Sequence, residues 1–266
     1  MSALADAAVD GFTVTKRNLI KIKRIPDLLI FTTIQPVMFV LLFAYVFGGA
    51  ITVPGGGYRE FLMAGIFVQT VAFGSAITAI GLADDLQKGI IDRFRALPMA
   101  RSAVLVGRTT SDLFNNVIVL VVMSICGIIV GWRIHNGVLS ALGAYALMLA
   151  FAYAMSWVSA LIGLSVRSVE VAQSAGFIWL FPVTFLSNAF VPLETLPTWL
   201  QPVAEWNPIT SVVAAVRQLF GNTNGEPPLD NFPAQHPLAV SLIWIGVLLA
   251  VFVPLSVRKY RAAAAR

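Results

Sequence analysis

A chain of 266 residues with 58% hydrophobic and only 12% charged residues lies outside the range of soluble domains, which carry roughly 25% charged residues. In water it would expose apolar patches that soluble monomers avoid, so composition excludes a soluble globular protein and selects an integral membrane one. The net charge of +5 does not point to nucleic acid, because the basic residues flank apolar runs, as membrane topology predicts.

In chain order, the stretch Met1 to Pro26 lacks the apolar core of a cleavable signal peptide. Phe12, Leu19 and Ile22 share one helical face there, surrounded by Lys16, Arg17, Lys21, Lys23 and Arg24. That pattern predicts a cytoplasmic amphipathic helix on the inner leaflet, its cations toward acidic headgroups. A plain positively charged anchor before the first span accounts for the same residues.

Six stretches reach the roughly 17–25 apolar residues that a span needs: Leu28–Phe47, Phe61–Ala83, Leu113–Val130, Gly137–Val166, Val171–Val191 and Leu238–Val257. None contains Asp, Glu, Lys, Arg or His, so no span is expected to carry a buried carboxylate. Pro36, Pro182 and Pro254 are placed to kink their helices. The single cysteine, Cys126, excludes an intramolecular disulfide and reads as a small buried apolar residue.

Between the second and third spans, Ile90, Ile91, Phe94 and Leu97 form one apolar stripe among Asp84, Asp85, Asp92, Arg93 and Arg95, and Pro98 ends the run. A short helix of mixed charge with an apolar stripe suits a protein groove; an ordinary interfacial loop helix has the same pattern.

The long segment Pro192 to Pro237 opens with Pro192, Leu193, Leu196, Pro197, Trp199 and Leu200. Trp199 and Trp206 suit the headgroup level. Asn207 and Pro208 then start a second helical run as N-cap and first residue, with Gly221 as its stop. About 13 residues is too short to span a bilayer. Two half-helices dipping into the outer leaflet are expected, followed by a mobile loop from Gly221 to Gln235.

Orientation follows from the cations. Fifteen of the eighteen Lys and Arg residues fall before span one, between spans two and three, between four and five, or after span six; only Arg59, Arg133 and Arg217 fall on the opposite side. By the positive-inside rule both termini are cytoplasmic. The expected fold is therefore all-α: one transmembrane domain of six helices, with external re-entrant half-helices between the fifth and sixth.

Catalytic patterns are thin. The two histidines, His135 and His236, stand alone at outer boundaries, which argues against a metal site and for interfacial polar residues. The phosphate-binding pattern G-x-x-x-x-G-K-[ST] is absent, so this chain is not itself an ATPase. The expected lack of buried carboxylates argues against a self-sufficient ion-coupled carrier. Uncharged polarity remains within the spans. Gln35, Gln69, Thr70, Asn115, Asn116, Ser187 and Asn188 must satisfy their hydrogen bonds within protein or along a wet path. They either line a translocation route or tie helices together.

The order of these features resembles the permease subunits of type-2 ATP-binding-cassette exporters, in the daunorubicin-resistance-like efflux branch. The residues that carry the resemblance are the basic N-terminal segment, Lys88-Gly89 through Arg93-Phe94-Arg95 to Leu97-Pro98-Met99, then Pro192-Leu193 through Trp199-Leu200, and Asn207-Pro208 through Arg217. The likeness runs from about Gly11 to Arg261.

The family implies two permeases, identical or related, with two separate ATPase subunits that hold ATP and Mg, and no cofactor on this chain. It implies that Lys88, Gly89, Asp92, Arg93, Phe94, Arg95, Leu97, Pro98 and Arg101 form a coupling helix resting on the ATPase. It further implies that Leu196–Phe220 are the external re-entrant helices, and that a hydrophobic or amphipathic drug or lipid is moved outward across the cell membrane. Lys88 and Ile90 depart from the Glu and Thr that many relatives carry around the loop glycine. A membrane assembly protein without transport is the rival reading.

Overall fold

The computed structural model describes residues 26–47, 57–90, 103–223 and 230–263. Every regular element among them is helical. Helix α1 (Pro26–Leu41) continues into one π-helical turn, Leu42–Phe47. Next come α2 (Tyr58–Gly74) and α3 (Ala76–Gln87), joined at Ser75 into one apolar run of 30 residues. They are followed by α4 (Ala103–Val130), α5 (Gly137–Gly163) and α6 (Val169–Phe185). A short turn at Leu193–Thr195 and the single-turn α7 (Gln201–Glu205) precede α8 (Pro208–Phe220), α9 (Phe232–Gln235) and α10 (Pro237–Ala263).

Four of these runs are long and apolar enough to cross a membrane: Tyr58–Gln87, Val104–Val130, Gly137–Gly163 and Pro237–Ala262. Apolar segments in α1, α6 and α8 are shorter.

Helix α5 is the hub, touching α2, α3, α4, α6, α8 and α10. Association in lipid depends on close packing more than on expulsion of water, and small residues permit it. A Cβ on Gly163 would overlap the Ala79 backbone of α3. Nearby, the Ser159 and Ser75 hydroxyls meet at 3.0 Å, and Ser75 also donates to the Ala72 carbonyl at 2.6 Å. At the periphery, α10 exposes Ile243, Val247, Val251 and Leu255, one residue per turn, as a face for surrounding hydrocarbon.

Three expectations are corrected here. The helix that holds the third expected span starts ahead of Leu113: α4 begins at Ala103 and carries Arg108 and Asp112. Asp112 is buried, so the expectation that no span holds a buried carboxylate fails. Arg108 and Asp112 stand one turn apart with opposite charges 3.4 Å from each other, which a rule that stops a span at its first charge does not see. The fifth helix ends at Phe185, so Ser187 and Asn188 lie in the turn beyond it. Lastly, the first re-entrant half-helix is a single turn, while α8 is buried on several sides, Thr210, Ser211 and Arg217 included.

The caps of α8 are as the residue types require. The Asn207 side chain accepts from the Ile209 N–H at 2.8 Å, and Gly221 adopts the left-handed φ of 78° that favours glycine. Of the loop expected from Gly221 to Gln235, residues 224–229 lie outside the described residues, and its first residues pack on the bundle. Asn222 is buried, accepting from Trp132 Nε1 at 2.9 Å and donating to the Arg133 carbonyl at 3.0 Å.

Candidate functional site

A cavity of about 230 Å³ opens between α1, the α2–α3 run, α4 and α6. Gln35, Pro36 and Phe39 come from α1, Gln69, Thr70, Phe73 and Gly74 from α2, and Ile77 and Ile80 from α3. Asn115, Asn116 and Val119 come from α4, and Phe177 from α6. Five of the seven expected pathway residues therefore share one wall system: Gln35, Gln69, Thr70, Asn115 and Asn116.

The helical period explains the convergence. Gln69, Phe73 and Ile80 recur near multiples of 3.6 residues along one run, and on α4 Asn115 and Asn116 each stand about one turn before Val119. Asn116 is held in place, its Nδ2 donating to the Asp112 carbonyl at 3.0 Å. Its Oδ1 lies so near Gly74 that a Cβ there would come within 2.8 Å. Apolar rings with a few convergent amides make a site for an amphipathic molecule: the rings take apolar surface, and the amides offer both donors and acceptors.

Ser187 and Asn188 are not at this cavity. They belong to a second polar centre at the N-terminal end of α2, built around Arg217 of α8. Arg217 is buried, and its Nε donates to the Phe61 carbonyl at 2.9 Å while Nη2 donates to the Asn188 carbonyl at 2.7 Å. The guanidinium lies 3.5 Å over the Phe61 ring, a cation–π contact.

Burial lowers the Arg217 pKa to about 9, still above neutral pH, so the group keeps its charge. Around it, the Asn188 N–H donates to Thr210 Oγ1 at 3.3 Å, and Asn207 Nδ2 donates to the Val183 and Leu186 carbonyls at 2.7 and 2.6 Å. Helix α8 thus satisfies carbonyls that the end of α6 leaves open. A Cβ on Gly65 of α2 would overlap the Ala189 carbonyl, so the chain after α6 rests directly on α2. Arg217, expected in an external segment, is a structural staple of the bundle.

The other expected residues are placed as follows. Lys88 caps α3 and pairs with Asp84 at 2.7 Å, and Gly89, with φ 61°, ends the helix. Asp92, Arg93, Phe94, Arg95, Leu97, Pro98 and Arg101 lie outside the described residues, as do Lys16, Arg17, Lys21, Lys23 and Arg24. Trp199 and Trp206 are exposed. Gln201 Nε2 donates to the Leu196 carbonyl at 3.0 Å and the Leu200 N–H to that of Pro197 at 2.8 Å, which folds Leu196–Leu200 back on itself; Pro208 is the first residue of α8. No group of metal-ligating side chains occurs among the described residues.

Sequence reasoning missed the cluster one turn from the cavity: Thr78 donates to Asp112 Oδ2 at 2.5 Å, and Arg108 Nε lies 3.4 Å from the same oxygen. The signal available was the Arg108/Asp112 spacing of four residues, which places both on one helical face.

Residues 11–220 match the family model for the ABC-2 type transporter. The chain is 32% identical over 259 residues to the daunorubicin resistance ABC transporter permease protein DrrB1 of Streptomyces coeruleorubidus, covering 97% of this chain and 88% of that protein. It is 25% identical over 238 residues to the probable doxorubicin resistance ABC transporter permease protein DrrC of Mycobacterium tuberculosis, covering 86% and 80%. It is also 25% identical over 217 residues to the putative transport permease ycf38 of Cyanophora paradoxa, covering 80% and 74%. With the family model matched over most of its length and a relative above 30% identity aligned almost end to end, the chain belongs to the ABC-2 type transporter family.

Proposed function

We propose that the chain is the membrane-spanning permease subunit of an ATP-driven exporter, and that the cavity between α1, α2–α3, α4 and α6 is where it holds an amphipathic cargo. The observation that carries this reading is the convergence of Gln35, Gln69, Thr70, Asn115 and Asn116 with Phe39, Phe73 and Phe177 on one space in a chain of this family. Relatives named for daunorubicin and doxorubicin resistance make a drug-like cargo the first to test, and a membrane lipid fits the same chemistry.

In this reading the chain crosses the membrane six times, through α1, α2–α3, α4, α5, α6 and α10, with both termini cytoplasmic. The cation distribution supports it: Arg258, Lys259 and Arg261 cluster at the C-terminal end of α10. Two copies, or one copy and a related permease, assemble with two ATPase subunits that bind ATP and Mg. The 88–101 segment is the lever between them, since α3 and α4 meet the membrane on either side of it.

The test is ATP-dependent doxorubicin uptake by inside-out vesicles containing this chain and an ABC ATPase that co-purifies with it. Uptake that requires both chains and ATP is expected. Uptake by the ATPase alone, or none for doxorubicin and for fluorescent phospholipids alike, contradicts the proposal.

A further inference from the structure

The cluster beside the cavity has a placement that a mere helix staple does not need. Helices α3 and α4 form two of the cavity walls, through Ile77 and Ile80 on one and Asn115 and Asn116 on the other. They are bridged where α4 leaves the cavity toward the 88–102 connection: Arg108 and Asp112 precede Asn115 and Asn116 on α4, and Thr78 stands level with Ile77 and Ile80 on α3. Thr78 donates to Asp112, Arg108 lies against the same carboxylate, and Arg108 Nη2 donates to the Ile77 carbonyl at 3.2 Å. A Cβ on Gly81 would overlap the Arg108 guanidinium, so the cation seats in a notch that only glycine provides. Asn116, a cavity residue, donates to the Asp112 carbonyl and joins cavity wall and bridge in one network.

Two features mark the bridge as built to open. First, α3 packs chiefly on α5 and α6, and its contact with α4 is small, so little apolar surface separates when the two helices part. Second, Arg108 Nε is buried without a hydrogen-bond acceptor, its 3.4 Å approach to Asp112 being an ion contact only. A buried network that is incompletely satisfied has less to lose on opening than a complete one. The Arg108 side chain is 16% exposed, so on release it can carry its charge to the interface along its aliphatic stem. Asp112 keeps the Thr78 hydroxyl.

We propose that Arg108, Asp112 and Thr78 form the gate at the 88–102 end of the cavity, closed in this conformation, whose separation admits cargo between α3 and α4. That this end faces the cytoplasm rests on the orientation proposed above. The gate itself does not depend on which cargo is carried.

The test is thiol accessibility in the full-length chain in its membrane, with Cys126→Ala removing the native thiol and Val119→Cys, on the cavity side of Asp112, reporting from the wall. A membrane-impermeant methanethiosulfonate is applied to inside-out vesicles, where the parent labels slowly. Asp112→Asn, which removes the ion contact and leaves Thr78 only a neutral acceptor, is expected to speed labelling about tenfold. Thr78→Val, close in shape, removes a hydrogen bond to that carboxylate and is expected to speed it about tenfold as well, as for a bond to a charged group; Arg108→Lys, which keeps a cation, stays near the parent rate. Labelling that is unchanged in both Asp112→Asn and Thr78→Val overturns the gate. Acceleration seen only when the reagent is applied to intact cells sustains the gate and overturns the cytoplasmic orientation instead.

Discussion

The two polar centres of this chain are built on opposite principles. Around Arg217 a buried cation has its donors committed to carbonyls of Phe61 and Asn188 and its face to an aromatic ring. Beside it, Phe67, Trp132, Tyr145 and Phe220 pack edge to face with ring centroids 5.0 to 6.5 Å apart. Around Asp112 a cation and a carboxylate meet at 3.4 Å with one donor left over, next to open space. The first region resists separation, because parting it strands several buried polar groups at once. The second has room and slack. In the proposed gate, that contrast gives the rigid role to α8 and the moving role to α3 against α4.

The contrast is open to direct attack. The largest effect is expected for Arg217→Ala, which removes the side-chain donors to the Phe61 and Asn188 carbonyls and a cation–π contact. A loss of about 3 kcal/mol of stability is expected, read as a lower thermal transition of the purified protein. Second, Gly65→Val forces a side chain into the Ala189 carbonyl and is expected to cost about 2 kcal/mol in the same assay, whereas Gly143→Ala, where a Cβ would meet only Leu219 at 3.8 Å, is expected to leave stability unchanged or raise it by up to about 1 kcal/mol. Third, Gln69→Leu and Asn115→Leu at the cavity remove hydrogen-bonding amides with little change in volume. They are expected to raise the transport KM about threefold to tenfold while the thermal transition stays in place. An equal fall in stability would place these amides with the staple. The smallest effect is expected for Trp199→Ala, an exposed side chain, within about 0.5 kcal/mol of the parent.

What could be read in the sequence followed the range of the interaction. The ends of α8 were legible because an Asn-Pro start and a glycine stop act within a few residues, and the amides of the cavity were legible because buried polarity in apolar runs is rare. The role of Arg217 was not, since a short helix with one arginine looks the same whether it lies in headgroups or inside a bundle; only contacts 29 and 156 positions away decide it. The end of α6 was misread for a similar reason. Ser187 to Val191 stay apolar enough to extend a span, but the carbonyls of Val183 and Leu186 are taken by Asn207, which stops the helix from outside. Asp112 escaped because its partners Arg108 and Thr78 stand on two different helices, and a charge counts against a span until its partner is known.

The claim on which the account stands is that cargo occupies the cavity beside Asn115. It is tested most directly by cargo protection: Asn115→Cys in the Cys126→Ala background, co-assembled with the ATPase in vesicles and labelled with a maleimide in the absence and presence of doxorubicin. The account predicts that transported cargo slows labelling in proportion to its occupancy, at concentrations near the transport KM. Undiminished labelling while transport proceeds would put the cargo elsewhere and contradict the account.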